Sequence, residues 1–135
     1  MKPFIPVVRA FILEGDRILV VKRAAGSRTN PGLWELPGGK LLDAETLDEA
    51  LEREVYEETG LIVSPIRVLG AFQQEFPFKV SVNIIFHVKV EAGILSLSDE
   101  HEASKWVGMG EMGNLRVSPW LSAFQQFLDR GEDII

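Results

Sequence analysis

The sequence predicts one layered domain of the α plus β class, and three observations predict it. Runs rich in β-branched and aromatic residues recur along the chain, punctuated by Gly, Pro and Asn clusters. Two segments, one central and one near the C-terminal end, carry helix start and stop signals around an amphipathic middle. The length of 135 residues, with 46% hydrophobic and 25% charged residues, suits one ordinary globular domain, taken as 1–135.

Taken in order, Val7 to Leu13 and Ile18 to Val21 read as strands joined by a turn at Glu14-Gly15-Asp16. Their near-continuous apolar character predicts burial on both faces. Ala24 to Gly32, with Gly26, Asn30 and Pro31, is a loop. Leu33 to Leu36 is a short strand. Pro37-Gly38-Gly39 turns the chain and permits close approach of backbone to a ligand. Lys40 to Leu42 is a further short strand.

The helix that follows is the best-marked element. Thr46 with Glu49 three residues later is a capping box, so the helix starts at Leu47. Gly60 supplies the left-handed residue that ends it. Leu47, Leu51 and Val55 form an apolar stripe. At ~100° per residue, Glu54, Glu57 and Glu58 share a sector of ~100° beside that stripe. Like charges at these spacings repel and raise one another's pKa. A divalent cation would compensate, and an all-oxygen donor set favours Mg²⁺ or Mn²⁺ over zinc. A solvated acidic face with Arg53 and Lys40 nearby is the plainer reading of the same residues.

Beyond the helix, Ile62-Val63 is a short strand and Ser64-Pro65 an interruption. Ile66 to Glu75 and Val80 to Val90 are strands about a turn at Phe76-Pro77-Phe78, the second with near period-two alternation. Ala92-Gly93 turns, Ser98 to Ser104 is an acidic loop, Lys105 to Val107 is a strand, and Gly108 to Gly113 is a loop. Ser118 as cap and Pro119 at the first position open a last helix carrying Leu121, Phe124 and Leu128, which Gly131 ends.

Fourteen basic against twenty acidic residues give a net charge of −6, which argues against a nucleic-acid polymer as partner. It does not exclude nucleotides, because a bound metal inverts local charge. There is no cysteine, hence no disulfide or thiol chemistry. No apolar run is long enough to span a membrane, and the N-terminal segment, broken by Pro3, Pro6 and Arg9, does not read as a signal peptide. A cytoplasmic location is the expectation.

Gly39, five residues, Glu45, seven residues, then Arg53-Glu54-Val55-Tyr56-Glu57-Glu58-Thr59-Gly60-Leu61 resembles the signature box of the Nudix hydrolases at every specified position. Gly32-Leu33-Trp34-Glu35-Leu36-Pro37 before it, and Glu100-His101 leading to Trp106-Val107 after it, fit the same family. The resemblance implies the Nudix fold, a mixed β-sheet sandwiched between α-helices. It implies metal-assisted attack of water on the pyrophosphate of a nucleoside diphosphate derivative. Glu57 and Glu58 match metal ligands, and the Gly38 carbonyl matches a backbone ligand. Glu54 matches a residue that binds metal or acts as base. Glu100 fits a loop carboxylate with either duty, with Asp99 and Glu102 close enough to compete. Glu45 and Arg53 match a pair that supports the helix. Arg23, and more weakly Arg28 and Asn30, fall where family members contact substrate.

The box reports the chemistry and not the leaving group. Segments such as Lys22-Arg23-Ala24-Ala25 and Trp34 look most like the MutT-type enzymes, which implies a (d)NTP cleaved to a monophosphate and pyrophosphate. ADP-ribose, a nucleotide sugar or a dinucleotide is the alternative; Pro77, 17 residues after Gly60, sits where ADP-ribose-cleaving members carry a proline, yet it also suits a turn. A non-catalytic nucleotide sensor on the same fold is the remaining reading. The partner is a small nucleotide, and the assembly a monomer or homodimer.

Overall fold

The computed structural model describes residues 1–130; the expected helix stop at Gly131 lies outside the described residues. The strands are β1 (Phe4–Glu14), β2 (Arg17–Arg23), β3 (Trp34–Glu35), β4 (Gly38–Lys40), β5 (Leu61–Glu75), β6 (Val80–Gly93) and β7 (His101–Gly108). The helices are α1 (Leu47–Thr59) and α2 (Pro119–Asp129), with a 3-10 turn at Met109–Asn114 between β7 and α2. Strand order is β3-β2-β1-β6-β5, with β4 also paired to β1 and β7 to β2. The β1–β6 pair is parallel and the others are antiparallel, so the sheet is mixed.

Alternation along the strands produces the layers. Val8, Ala10 and Ile12 of β1, Leu19 of β2 and Phe86 of β6 pack with Ala50, Leu51 and Val55 of α1. Phe11, Ile18, Val20 and Ile85, on the opposite face, pack with Trp120, Leu121 and Phe124 of α2. Burial on both faces is therefore why β1 and β2 lack a polar stripe. The result is an α/β sandwich with α1 and α2 on opposite faces. Among the described residues no helix is long and apolar enough to cross a membrane.

The capping box forms: the Glu49 amide donates to Thr46 Oγ1 and the Thr46 amide to Glu49 Oε1. Gly60 closes α1 at φ 74°, its amide donating to the Tyr56 carbonyl at 2.8 Å. Leu51 and Val55 are fully buried, worth about 1.5–3 kcal/mol each. Leu47, expected in the same stripe, is 37% exposed, because it lies in the first turn, beyond the edge of the sheet core.

Several boundaries differ from expectation. β5 runs unbroken through Ser64-Pro65, because bulges between Ile62 and Val63 and between Pro65 and Arg67 absorb the proline. Gly93 stays in β6, paired with Leu61, instead of turning. β7 begins at His101 inside the expected acidic loop. The Ser118 hydroxyl makes no cap bond to α2; the Ser118 amide instead donates to the Trp34 carbonyl, tying α2 to β3. Phe76-Pro77-Phe78 is a turn, closed by the Phe76 amide on the Lys79 carbonyl at 2.8 Å, with Pro77 at its favoured second position.

Candidate active site

The register along β1 assembles the site. Arg9 faces Gly38, Val8 faces Gly39, and Val7 faces Lys40 across the β1–β4 pair, while β6 brings Ser81 and Asn83 alongside on the other edge. A cavity of about 600 Å³ opens over this seam. One end is walled by Gly38, Gly39, Glu54, Glu58 and Glu100. The loop after β2 and the β5–β6 turn form the other end, with Arg28, Phe76, Phe78 and Lys79.

Both glycines are required by contact. At Gly38, φ 153°, a Cβ would strike the Val8 carbonyl of β1. At Gly39 a Cβ would occupy the space of the Glu54 carboxylate. The expected close approach is thus real, and its partners are a strand and a cavity carboxylate.

Glu58 is the most constrained acid. It is 3% exposed and accepts the Gly38 amide at 3.1 Å. Burial pushes its pKa well above the carboxylate range; Arg9 and the Gly38 amide pull against this, while Glu35 and Glu54 add to it. Glu54 borders the cavity and pairs with Arg53 at 2.7 Å. Glu57 also meets Arg53, at 3.0 Å, but its side chain is 57% exposed and does not border the cavity. Glu100 reaches the cavity from the turn before β7. Glu102 is drawn away by Lys22 at 3.3 Å.

The Glu45–Arg53 pair forms as expected. Arg53 Nε donates to Glu45 Oε2 at 2.6 Å and Nη2 to Glu45 Oε1 at 2.9 Å, with a further bond to the Lys40 carbonyl. The Arg53 hydrogen bond holds the Glu45 carboxyl at about 2, helped by the Leu42 amide. Arg53 thereby joins the β4 exit, the pre-helix loop and two turns of α1 through one guanidinium.

Arg23, expected to touch substrate, is already engaged. Its guanidinium donates to both Glu35 oxygens at 2.8 and 3.2 Å, to the Thr29 carbonyl at 2.7 Å and to the Ser27 and Thr29 hydroxyls. It borders the cavity but serves first to fold the loop after β2. Arg28 is exposed and lies over the Phe78 ring at 4.8 Å. Asn30 exchanges two hydrogen bonds with Gln74, at 3.0 and 2.8 Å, tying that loop to β5.

Under the cavity lies a buried charged network that the sequence reading passed over. Arg9 donates to Asn83 Oδ1, Glu35 Oε1 and the Leu36 carbonyl, each at 3.1 Å, and stacks 4.7 Å from the Trp120 ring. His101, 2% exposed at its side chain, sits between Glu35 at 3.6 Å and Glu58 at 3.9 Å. Burial would raise the Glu35 pKa, but Arg9, His101 and Arg23 outweigh it and hold the group at about 2. The available signal was a single arginine inside an apolar strand: Arg9 in Val7 to Leu13 requires a buried partner.

The donors suit a hard divalent cation: carboxylates of Glu54, Glu57, Glu58 and Glu100, a Gly38 carbonyl, and no sulfur. Among the described residues no three His, Asp or Glu side chains are grouped closely enough to hold an ion, since Arg53 draws Glu54 and Glu57 to itself. The fit therefore rests on donor chemistry.

The family model for the NUDIX domain matches residues 3–126. The chain belongs to the NUDIX family. Its fold aligns with the crystal structure of a MutT protein from Methanosarcina mazei Go1 at a TM-score of 0.89 and 34% identity, covering 96% of each chain. A CTP pyrophosphohydrolase of Escherichia coli is 32% identical over 115 residues, 85% of this chain and 84% of that protein. The 8-oxo-dGDP phosphatase NUDT18 of Homo sapiens is 35% identical over 97 residues, 72% of this chain but 28% of that protein. The chain spans 28% to 66% of the length of several such relatives. This NUDIX domain thus has relatives whose names differ in substrate.

Proposed function

We propose that the chain hydrolyses the pyrophosphate linkage of a nucleoside diphosphate derivative, a (d)NTP yielding NMP and pyrophosphate. The observation that carries this reading is the convergence of Glu58, Glu54, Glu100 and the Gly38–Gly39 backbone on one end of a nucleotide-sized cavity. The likeness to a MutT protein over the whole chain supports it.

Water oxygen adds to one phosphorus of the α–β linkage, the bridging P–O bond breaks, and its electron pair departs on the bridging oxygen, so that NMP and pyrophosphate are the two products. The proton lost by water passes to a cavity carboxylate. Glu54 and Glu100, which line the cavity together with Glu58, are the groups we assign as that base. Glu57, Glu58, Glu54, Glu100 and the Gly38 carbonyl are the groups that would hold Mg²⁺ or Mn²⁺. Such an ion neutralises phosphate charge and acidifies the attacking water. Glu45 and Arg53 keep α1 and its acids in register with β4. Arg23 shapes the loop that bounds the substrate, and Arg28 stands at its rim. Pro77 lies in the β5–β6 turn, and ADP-ribose, a nucleotide sugar or a dinucleotide is the alternative substrate.

The test is a phosphate-release screen with Mg²⁺ over common and oxidised nucleoside triphosphates, ADP-ribose, NADH and dinucleoside polyphosphates, with products identified. Release of monophosphate and pyrophosphate, lost in Glu58→Gln, is the expected outcome. Binding of nucleotide without cleavage of any of them would sink the hydrolase reading in favour of a sensor.

A further inference from the structure

The cavity end away from the carboxylates is cationic. Arg28 and Lys79 border it, Lys40 stands between it and the carboxylates, and no ion pair joins any of the three to a carboxylate among the described residues. What sets the three apart is that they gather on one cavity in a chain of net charge −6. Glu75, the acid next to the turn, is taken by Lys2.

The three cations also crowd one another. Burial first, then Lys40, Arg23 and Arg28, push the Lys79 pKa below its ordinary value. Aromatic rings offset part of that repulsion. Lys79 Nζ lies 5.6 Å from the centroids of both Phe76 and Phe78, and Arg28 lies 4.8 Å from Phe78. Phe76 and Phe78 stack on each other at 6.0 Å. Their faces are thus engaged by each other and by cations, so the rings back the charges more than they offer a platform to a nucleobase.

Register gives the spacing. Gly38 faces Arg9, Lys40 faces Val7, and Val80, next to Lys79, faces Phe4. From Arg9 to Phe4 is five residues of β1, about 16 Å at the usual strand rise. The carboxylate end and the turn therefore sit well apart, with Lys40 between them and Lys79 folded back toward it. A phosphate chain leaving Gly38 along β1 would meet Lys40 first, opposite Val7, and then the Lys79 side chain folded back toward it.

We propose that Arg28, Lys40 and Lys79 form an anion subsite for phosphoryl groups of the substrate beyond the bond that is cleaved, and that this subsite selects triphosphates over diphosphates. The inference rests on the hydrolase reading of the same cavity and adds which side chains outside the signature box would distinguish a triphosphate from a diphosphate. Lys79 and Arg28 are specificity-determining residues here, carried by the β5–β6 turn and the loop after β2, outside the signature box.

Calorimetric titration with Mg²⁺ and the α,β-methylene analogues of the A, C, G and U nucleoside tri- and diphosphates tests it. The readout is the triphosphate-to-diphosphate affinity ratio for whichever nucleoside binds. Wild type favours the triphosphate, and Lys79→Met or Arg28→Gln cuts the ratio about tenfold, the size of one charge-assisted hydrogen bond. Lys79→Arg restores most of it, which a merely structural role would not require. Phosphate release from the natural nucleotides is measured on the same samples. Tail-selective binding without hydrolysis would sink the hydrolase reading and uphold the subsite. A ratio unchanged in Lys79→Met and Arg28→Gln, or no binding of either analogue, overturns the subsite.

Discussion

Glu35→Gln isolates the buried network beneath the cavity. Glu35 is 1% exposed and is the common partner of Arg9 and Arg23, with His101 beside it. Burial raises its pKa, yet Arg9, His101 and Arg23 bring it from the ordinary 4.5 down to about 2. At about 1.4 kcal/mol per pH unit, that fall corresponds to about 3 kcal/mol of stability at neutral pH. The sign follows from the direction: with the folded pKa depressed, the contribution is full above pH 4.5 and fades as pH falls toward 2. Less than half of it remains at pH 3. The same loss seen from the partners, two guanidiniums left facing a neutral amide, falls at the low end of the about 3–5 kcal/mol for a broken buried pair. Urea unfolding of wild type and variant at pH 7 and at pH 3 is the assay. The variant should be about 3 kcal/mol less stable at pH 7, with the gap at least halved at pH 3. An equal gap at both pH values would refute the idea that the carboxylate charge, as opposed to side-chain shape, holds this network.

Four further outcomes follow from the site. Glu58→Gln should abolish most turnover and weaken Mg²⁺ binding while circular dichroism stays native; Glu57→Gln should do the same, and full turnover at saturating Mg²⁺ would remove that residue from the site. Gly39→Ala should displace the Glu54 carboxylate and cost activity more than melting temperature. Gly38→Ala should instead lose about 2–5 kcal/mol of stability, from strained φ and a clash with Val8, read by urea unfolding. Glu100→Gln should lower kcat more than Glu102→Gln, whose partner is Lys22, and the reverse order would move the loop acid to Glu102.

How much of this was legible differs residue by residue. The α1 caps were readable because Thr46, Glu49 and Gly60 act on neighbouring backbone, and local bonds are written in local spacing. The Glu45–Arg53 pair was readable only through the resemblance, since its members meet across a loop. The role of Arg9 was not readable, because its partners Glu35 and Asn83 are 26 and 74 residues away. The pairing of Arg23 has the same origin: a guanidinium that looks free in sequence meets a carboxylate on a neighbouring strand while still bordering the cavity. β5 was misdivided because Pro65 signals a break locally, while the ladder to β6 supplies bulges that accommodate it.

The sequence by itself determined the family, the capped helix, the acids it carries and the two-faced burial of the central strands. Each depends on period, spacing or capping, which are properties of a few adjacent turns. Only the tertiary structure decided which of those acids reach a common cavity, and which of the cations bordering it have an ion pair among the described residues. Those outcomes depend on strand register: one β1 strand sets Gly38, Lys40 and Val80 against Arg9, Val7 and Phe4, and no local pattern encodes that pairing.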